Sequence, residues 1–191
     1  MLELCTLPDS EMGKAVHSHG EAAVVRITLS HDLTTPEGLS LCLSVVSAAR
    51  KQNLPLCLYL SLPCTAGCPY WRIILAKHPR AGDKLTHHKK VLGMLMNNAE
   101  IVHRYASSAY GKDKVLTLME WPRGCQLWQH EAVNHFRTVL GLSHEQPVDG
   151  CSLGWKSIDP KSAGMPLKKP LLIASSHPEA LQGFAGCQCA G

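Results

Sequence analysis

The sequence predicts an α/β domain, a mostly parallel sheet with helices on both faces. Three observations predict it. Strand-like and helix-like segments alternate almost throughout the chain, the pattern of repeated strand–helix units. Residues 56–62 (LCLYLSL) are apolar nearly without interruption, as suits a strand covered on both faces. The chain has 191 residues, 45% apolar and 18% charged, which is enough for one buried core and too apolar for a disordered chain.

The elements follow in order. Residues 2–5 form a short apolar strand. Pro8, Asp9 and Ser10 mark a loop, and Asp9 or Ser10 can cap a short helix ending near Gly20. Residues 22–29 (AAVVRITL) are β-branched and strand-like. The chain turns through 32–36 into a helix over about 37–53, with Leu39, Leu43 and Val46 on one face. After the 56–62 strand, residues 64–83 read as loop, broken by Pro69 and Pro79. The longest helix is expected from Thr86 to about Tyr110, stopped by Gly111, with His87, His88, Lys89 and Lys90 in its first turn. Cations there oppose the helix dipole, so the bland reading is a solvated end and the sharper one an anion-facing end.

Residues 114–119 (KVLTLM) form another strand, followed at once by Glu120, Trp121 and Pro122. A helix is expected over about 127–140, strands over 148–153 and 170–174, and a last short helix opened by Pro178. Residues 1–183 are expected to form one domain and 184–191 a frayed tail.

The bulk numbers exclude several classes. No apolar run approaches the length of a membrane span. No basic region followed by an apolar stretch opens the chain, so no secretory signal is expected, and the compartment, nuclear or cytoplasmic if intracellular, is left open. A net charge of +4 permits nucleic-acid binding without requiring it. Nine cysteines, an odd number, argue against a secreted disulfide framework. Cys42 and Cys57 read as small core residues. Cys64/Cys68 and Cys187/Cys189 lack the spacing of a zinc knuckle, and no metal is expected.

In open parallel sheets ligands sit beyond the carboxyl ends of the strands. The residues at those ends are Thr6 to Ser10, Asp32 to Thr34, Pro63 to Gly67, Glu120 to Gly124, and Gly154. Cys64 stands out as a thiol just after the buried strand. A positive environment would make it a nucleophile. Glu120 follows the neighbouring strand and, protonated, would serve as the acid beside it. The bland alternatives are a buried thiol and a helix-capping carboxylate.

The order of these pieces resembles the DNA cytosine-5 methyltransferases, within the class I S-adenosylmethionine-dependent fold. Leu60-Ser61-Leu62-Pro63-Cys64 resembles the strand and Pro-Cys dipeptide that carries that family's nucleophile. Leu118-Met119-Glu120-Trp121-Pro122 resembles its strand-terminal Glu-Asn motif, with Trp121 in place of Asn. Asp149 to Gly154, then Gly164 to Lys169 and Leu171 to Ala174, resembles its later strand pair. The match looks closer still to methyltransferase-like segments of the dinoflagellate and retroelement-associated kind.

The resemblance implies a three-layer Rossmann-like sandwich whose mostly parallel sheet ends in a C-terminal antiparallel strand pair. It implies Cys64 and Glu120 as catalytic, DNA cytosine as substrate and S-adenosylmethionine as cofactor. Glu3, Pro8, Asp9, Ser10, Gly13 and Asp32 fall where that cofactor would be held, although the glycine-rich turn of the family is absent and only Gly13 is present. Lys168 and Lys169 would contact nucleic acid. Trp71, Trp121 and Trp128 are stacking candidates, or core. The target base would have to leave its stack. The rival expectations are an inactive, mobile-element-derived relic that binds nucleic acid or a partner, a thiol or metal protein using Cys64 and Cys68, and a fragment of a longer fold.

Overall fold

A computed structural model describes residues 1–10, 14 and 22–189. Six strands, Leu2–Leu4 (β1), Val25–Ile27 (β2), Leu56–Leu60 (β3), Val115–Pro122 (β4), His144–Asp149 (β5) and Pro170–Ser175 (β6), form one sheet. Their order across it is β2-β1-β3-β4-β6-β5. The ladders joining β2, β1, β3 and β4 are parallel, whereas β6 runs antiparallel to both β4 and β5. The architecture is therefore a Rossmann-like α/β sandwich, mostly parallel and closed by an antiparallel pair.

The helices Pro36–Lys51 (α1), Trp71–Lys77 (α2), Ala81–Tyr110 (α3) and Glu131–Leu140 (α4) connect these strands. Among the described residues, α1, α3 and α4 all pack on one face. Cys42 and Val46 of α1, Leu92, Leu95, Met96, Ala99 and Val102 of α3, and Val133, Phe136 and Leu140 of α4 bury Leu2, Leu4, Leu58, Leu60 and Met119. The handedness of the connections accounts for this. The steps β2→β3, β3→β4 and β4→β5 all move the same way across the sheet, and right-handed crossovers then fall on the same side. On the other face Tyr59, Leu118, Val148 and Ile173 are covered by Leu181 of the 3-10 helix Pro178–Phe184.

Local chemistry sets the helix starts. Thr35 caps α1, its Oγ1 accepting a hydrogen bond from Gly38 N at 3.1 Å, and Pro36 follows at the first helical position. A Cβ at Gly38 would run into the carbonyl oxygens of His31 and Asp32, so glycine lets α1 begin directly against the turn that follows β2.

Several sequence expectations change. Residues 64–83 are not loop: Thr65–Gly67 is a 3-10 turn, α2 follows, and α3 already begins at Ala81. Pro69 and Pro79 lie before the helix starts rather than inside helices, so neither breaks one. His87 to Lys90 therefore fall in the second and third turns of α3, not the first, where Asp83 sits favourably. The strand expected over 22–29 is only Val25–Ile27, because Leu29–His31 turns as a 3-10 helix. The helix expected from 127 is a 3-10 turn, Gln126–Gln129, before α4 starts at Glu131. The strand expected over 148–153 begins at His144 and ends at Asp149. Pro147 masks its first half in the sequence, yet β5 is an edge strand, where a missing N–H is tolerated.

The expected short helix ending near Gly20 lies outside the described residues. The C-terminal segment packs more than a frayed tail would. Asp149 N donates to Cys187 O at 2.8 Å, Cys189 N donates to Asp149 Oδ2 at 3.0 Å, and Cys151 is paired with Cys189 in a disulfide.

Candidate functional site

The site lies beyond the carboxyl ends of β3 and β4. These neighbours pair from Leu56 opposite Val115 to Leu60 opposite Met119, so the residues that follow emerge side by side. Cys64 ends the short extension from β3 and leads into the Thr65–Gly67 turn, half-buried against the main core. The turn sits tightly on the neighbouring chain. A Cβ on Gly67 would lie 2.5 Å from Cys125 Sγ and 2.6 Å from Leu127 Cγ.

Glu120 departs from the expected position. It does not follow β4 but lies within it, opposite Ile173 of β6, because β6 extends the ladder as far as Pro122. Nor does it cap a helix. Strand alternation turns Glu120 to the face carrying Leu118, while Met119 and Trp121 enter the main core. Trp121 is 1% exposed, and its Nε1 donates to the Leu62 carbonyl at 2.5 Å, tying β4 to the segment that carries Cys64. Trp128 packs edge-on against Trp121 at 5.2 Å between ring centroids, and its own Nε1 donates to Pro122 O at 3.0 Å. Both are structural, not base platforms. Trp71 is partly exposed, and its Nε1 donates to Thr65 O at 2.6 Å.

The electrostatics link three side chains from three elements. Burial pushes the Cys64 thiol above its usual range; the Lys169 ammonium opposes the shift, and Glu120 and Cys68 reinforce it. Burial likewise raises the Glu120 carboxyl, again opposed by Lys169. Lys169, one residue before β6, thus acts on both groups. Its Nζ also lies 5.4 Å over the Trp155 ring. Lys168 is exposed beside it in the chain. The net environment holds the thiol neutral rather than activating it, contrary to what a nucleophile at rest would require, and it favours a protonated Glu120.

The residues expected to hold the cofactor do not converge in the same way. Glu3 lies inside β1 and is fully buried. Its Oε2 is 3.2 Å from Arg26 Nε and its Oε1 accepts a hydrogen bond from Ser10 Oγ at 2.9 Å. Sequence reasoning missed Arg26; as the only cation of β2, next to a strand bearing a lone carboxylate, it had a readable signal. Pro8 and Asp9 form an exposed turn. Asp32 is exposed after β2, its Oδ1 accepting from Thr34 N at 3.0 Å and Thr34 Oγ1 at 2.7 Å, and these bonds hold its carboxyl below the usual range. Asp32 also lies near the end of β1, where its charge helps to push the Cys5 thiol up to about 12, after burial and Cys42. Gly13 lies outside the described residues. Glu3 is thus engaged by Ser10 and Arg26, whereas Asp9 and Asp32 are the exposed carboxylates of the set.

Among the described residues, no group of three or more His, Cys, Asp or Glu side chains is placed to hold a metal ion, and no helix is long and apolar enough to cross a membrane. No protein-family model, no curated protein and no solved structure matches the chain.

Proposed function

We propose that this chain is a divergent cytosine-directed domain of the DNA cytosine-5 methyltransferase kind, with Cys64 as nucleophile and Glu120 as acid. The observation that supports it most is that the segments carrying Cys64 and Glu120 belong to adjacent parallel strands, with the Lys169 charge acting on both groups.

The chain's own residues would supply the covalent part of the reaction. Cys64 loses its proton to solvent and its sulfur adds to C6 of a cytosine held out of its stack. The C5–C6 π pair moves onto C5 and into the ring. Protonated Glu120 donates a hydrogen bond to the ring nitrogen N3, which takes up charge as the adduct forms. The Lys169 ammonium stabilises the thiolate that attacks and leaves. Without a methyl donor, C5 takes a proton from water; loss of the original C5 proton and expulsion of the thiolate then restore the base. A methyl group from S-adenosylmethionine is what the resemblance adds to this scheme.

The engaged side chains of Glu3 and Ser10 favour a second reading, in which the fold persists as a nucleic-acid-binding relic. Incubation with DNA and S-adenosylmethionine labelled in the methyl group separates the two. Label incorporation by the native chain, lost in Cys64→Ser, is expected of the methyltransferase. DNA binding that survives Cys64→Ser, with no incorporation at saturating donor, would leave the relic.

A further inference from the structure

We infer that Arg72 and Arg123 form a binding site for a backbone phosphate of nucleic acid, beside the Cys64 turn. The inference rests on the nucleic-acid reading above and names the contact that would hold the strand there.

Arg72 comes from α2 and Arg123 from the turn just after β4, far apart in sequence. Together with Cys125, Gln126, Trp128 and Gln129 they line one open hollow of about 390 Å³. No carboxylate lines it, and neither arginine takes part in an ion pair among the described residues. Two exposed guanidinium groups facing one space repel each other unless an anion lies between them. Guanidinium forks and glutamine amides are the donors that suit phosphate oxygens.

The hollow adjoins the candidate site. Cys125 Sγ is 4.0 Å from the Cys64 carbonyl, and the hydrogen bond from Trp71 Nε1 to Thr65 O fixes the start of α2 over the same turn. A strand held in this hollow would pass close to the Cys64 turn. The same stretch of chain carries further cations. Arg72, Lys77, Arg80, Lys84, Lys89 and Lys90 are all exposed across α2 and the start of α3, against the single acid Asp83. Tyr70, 68% exposed and two residues before Arg72, offers a ring on which a base can stack. A segment so rich in exposed cations, with aromatic side chains among them, suits a nucleic-acid strand better than an acidic protein patch.

The test is fluorescence anisotropy of the full chain with an end-labelled, cytosine-containing single-stranded oligonucleotide, at several salt concentrations. The double variant Arg72→Gln/Arg123→Gln is expected to bind at least tenfold more weakly. Its salt slope should fall by about 0.7 for each phosphate it no longer neutralises. Lys112→Gln, at the opposite end of β4, serves as the basic control and should leave the slope unchanged. Arg72→Lys/Arg123→Lys should recover most of the slope. Circular dichroism checks folding, which two exposed side chains should not disturb.

Native-like binding and slope in the glutamine variant would overturn the phosphate site while leaving the Cys64 chemistry standing. Tighter binding to phosphatidylserine vesicles than to the oligonucleotide would overturn it in favour of a membrane surface. A native chain that bound no oligonucleotide would overturn both this site and the cytosine reading. Because the assay reads binding alone, absence of methyl transfer does not affect its outcome.

Discussion

Replacing Trp121 by Phe tests how the site is held together. Trp121 is buried in the main core, and its indole N–H is the donor that satisfies the Leu62 carbonyl, two residues before Cys64. Phenylalanine keeps one ring in place and removes that donor. Leaving the Leu62 carbonyl unpaired costs about 1–3 kcal/mol. The missing second ring leaves a void of roughly 40 Å³, worth about 1 kcal/mol at ~24 cal/mol per Å³. The Trp128 ring, packed edge-on against Trp121, limits collapse into that void. The sum is a loss of about 2–4 kcal/mol, a large fraction of the ~5–15 kcal/mol stability of an ordinary domain. Urea unfolding followed by circular dichroism reads it as a lower midpoint at unchanged slope. A Trp121→Phe protein within about 0.5 kcal/mol of the native chain, the range of an ordinary surface substitution, would refute the reasoning. It would mean that the Leu62 carbonyl finds another donor and that Trp121 does not fix the segment bearing Cys64.

Three further outcomes are expected. Arg26→Ala strands the fully buried Glu3 carboxylate and should cost about 3 kcal/mol in the same unfolding assay, whereas Glu3→Met with Arg26→Met should cost much less. Glu120 has a folded-state pKa raised above its unfolded value, so its ionisation opposes folding. Stability falls as pH rises from the unfolded carboxylate range through the folded value, and Glu120→Gln should therefore stabilise the protein at neutral pH and change little below pH ~4. Alkylation of Cys64 by iodoacetamide, followed by peptide mass spectrometry, should have its midpoint above that of a free thiol, and Lys169→Met should move it higher still. A midpoint that ignores Lys169 would separate that lysine from the site.

The sheet is legible in the sequence because its strands are written in apolar runs. The 56–62 run marks β3, and the β-branched 22–29 run marks β2, although 3-10 turning at Leu29–His31 cuts the latter short. What sequence periodicity misses is set by tertiary pairing. β4 runs on through Glu120 because β6 supplies partners out to Leu171, and nothing local in Glu-Trp-Pro announces that ladder. The α2 and early α3 helices are hidden behind prolines that lie between elements. In the site, the adjacency of the strands that carry Cys64 and Glu120 follows from strand order, and Lys169 is in view as a basic residue. That Lys169 acts on both groups depends on β6 returning beside β4, which no local pattern encodes. The partner of Glu3 is likewise set by the sheet. The position of Glu3 near a strand end suggests a ligand, whereas alternation along β1 turns it inward to Arg26.

The most direct test of Cys64 as a pyrimidine nucleophile needs no methyl donor. Single-stranded DNA carrying cytosine tritiated at C5 is incubated with the native chain, and tritium released to water is counted. Reversible addition of Cys64 to C6 predicts steady release, abolished by Cys64→Ser and slowed at least tenfold by Glu120→Gln. No release from DNA that the chain binds, or release that persists in Cys64→Ser, would contradict it.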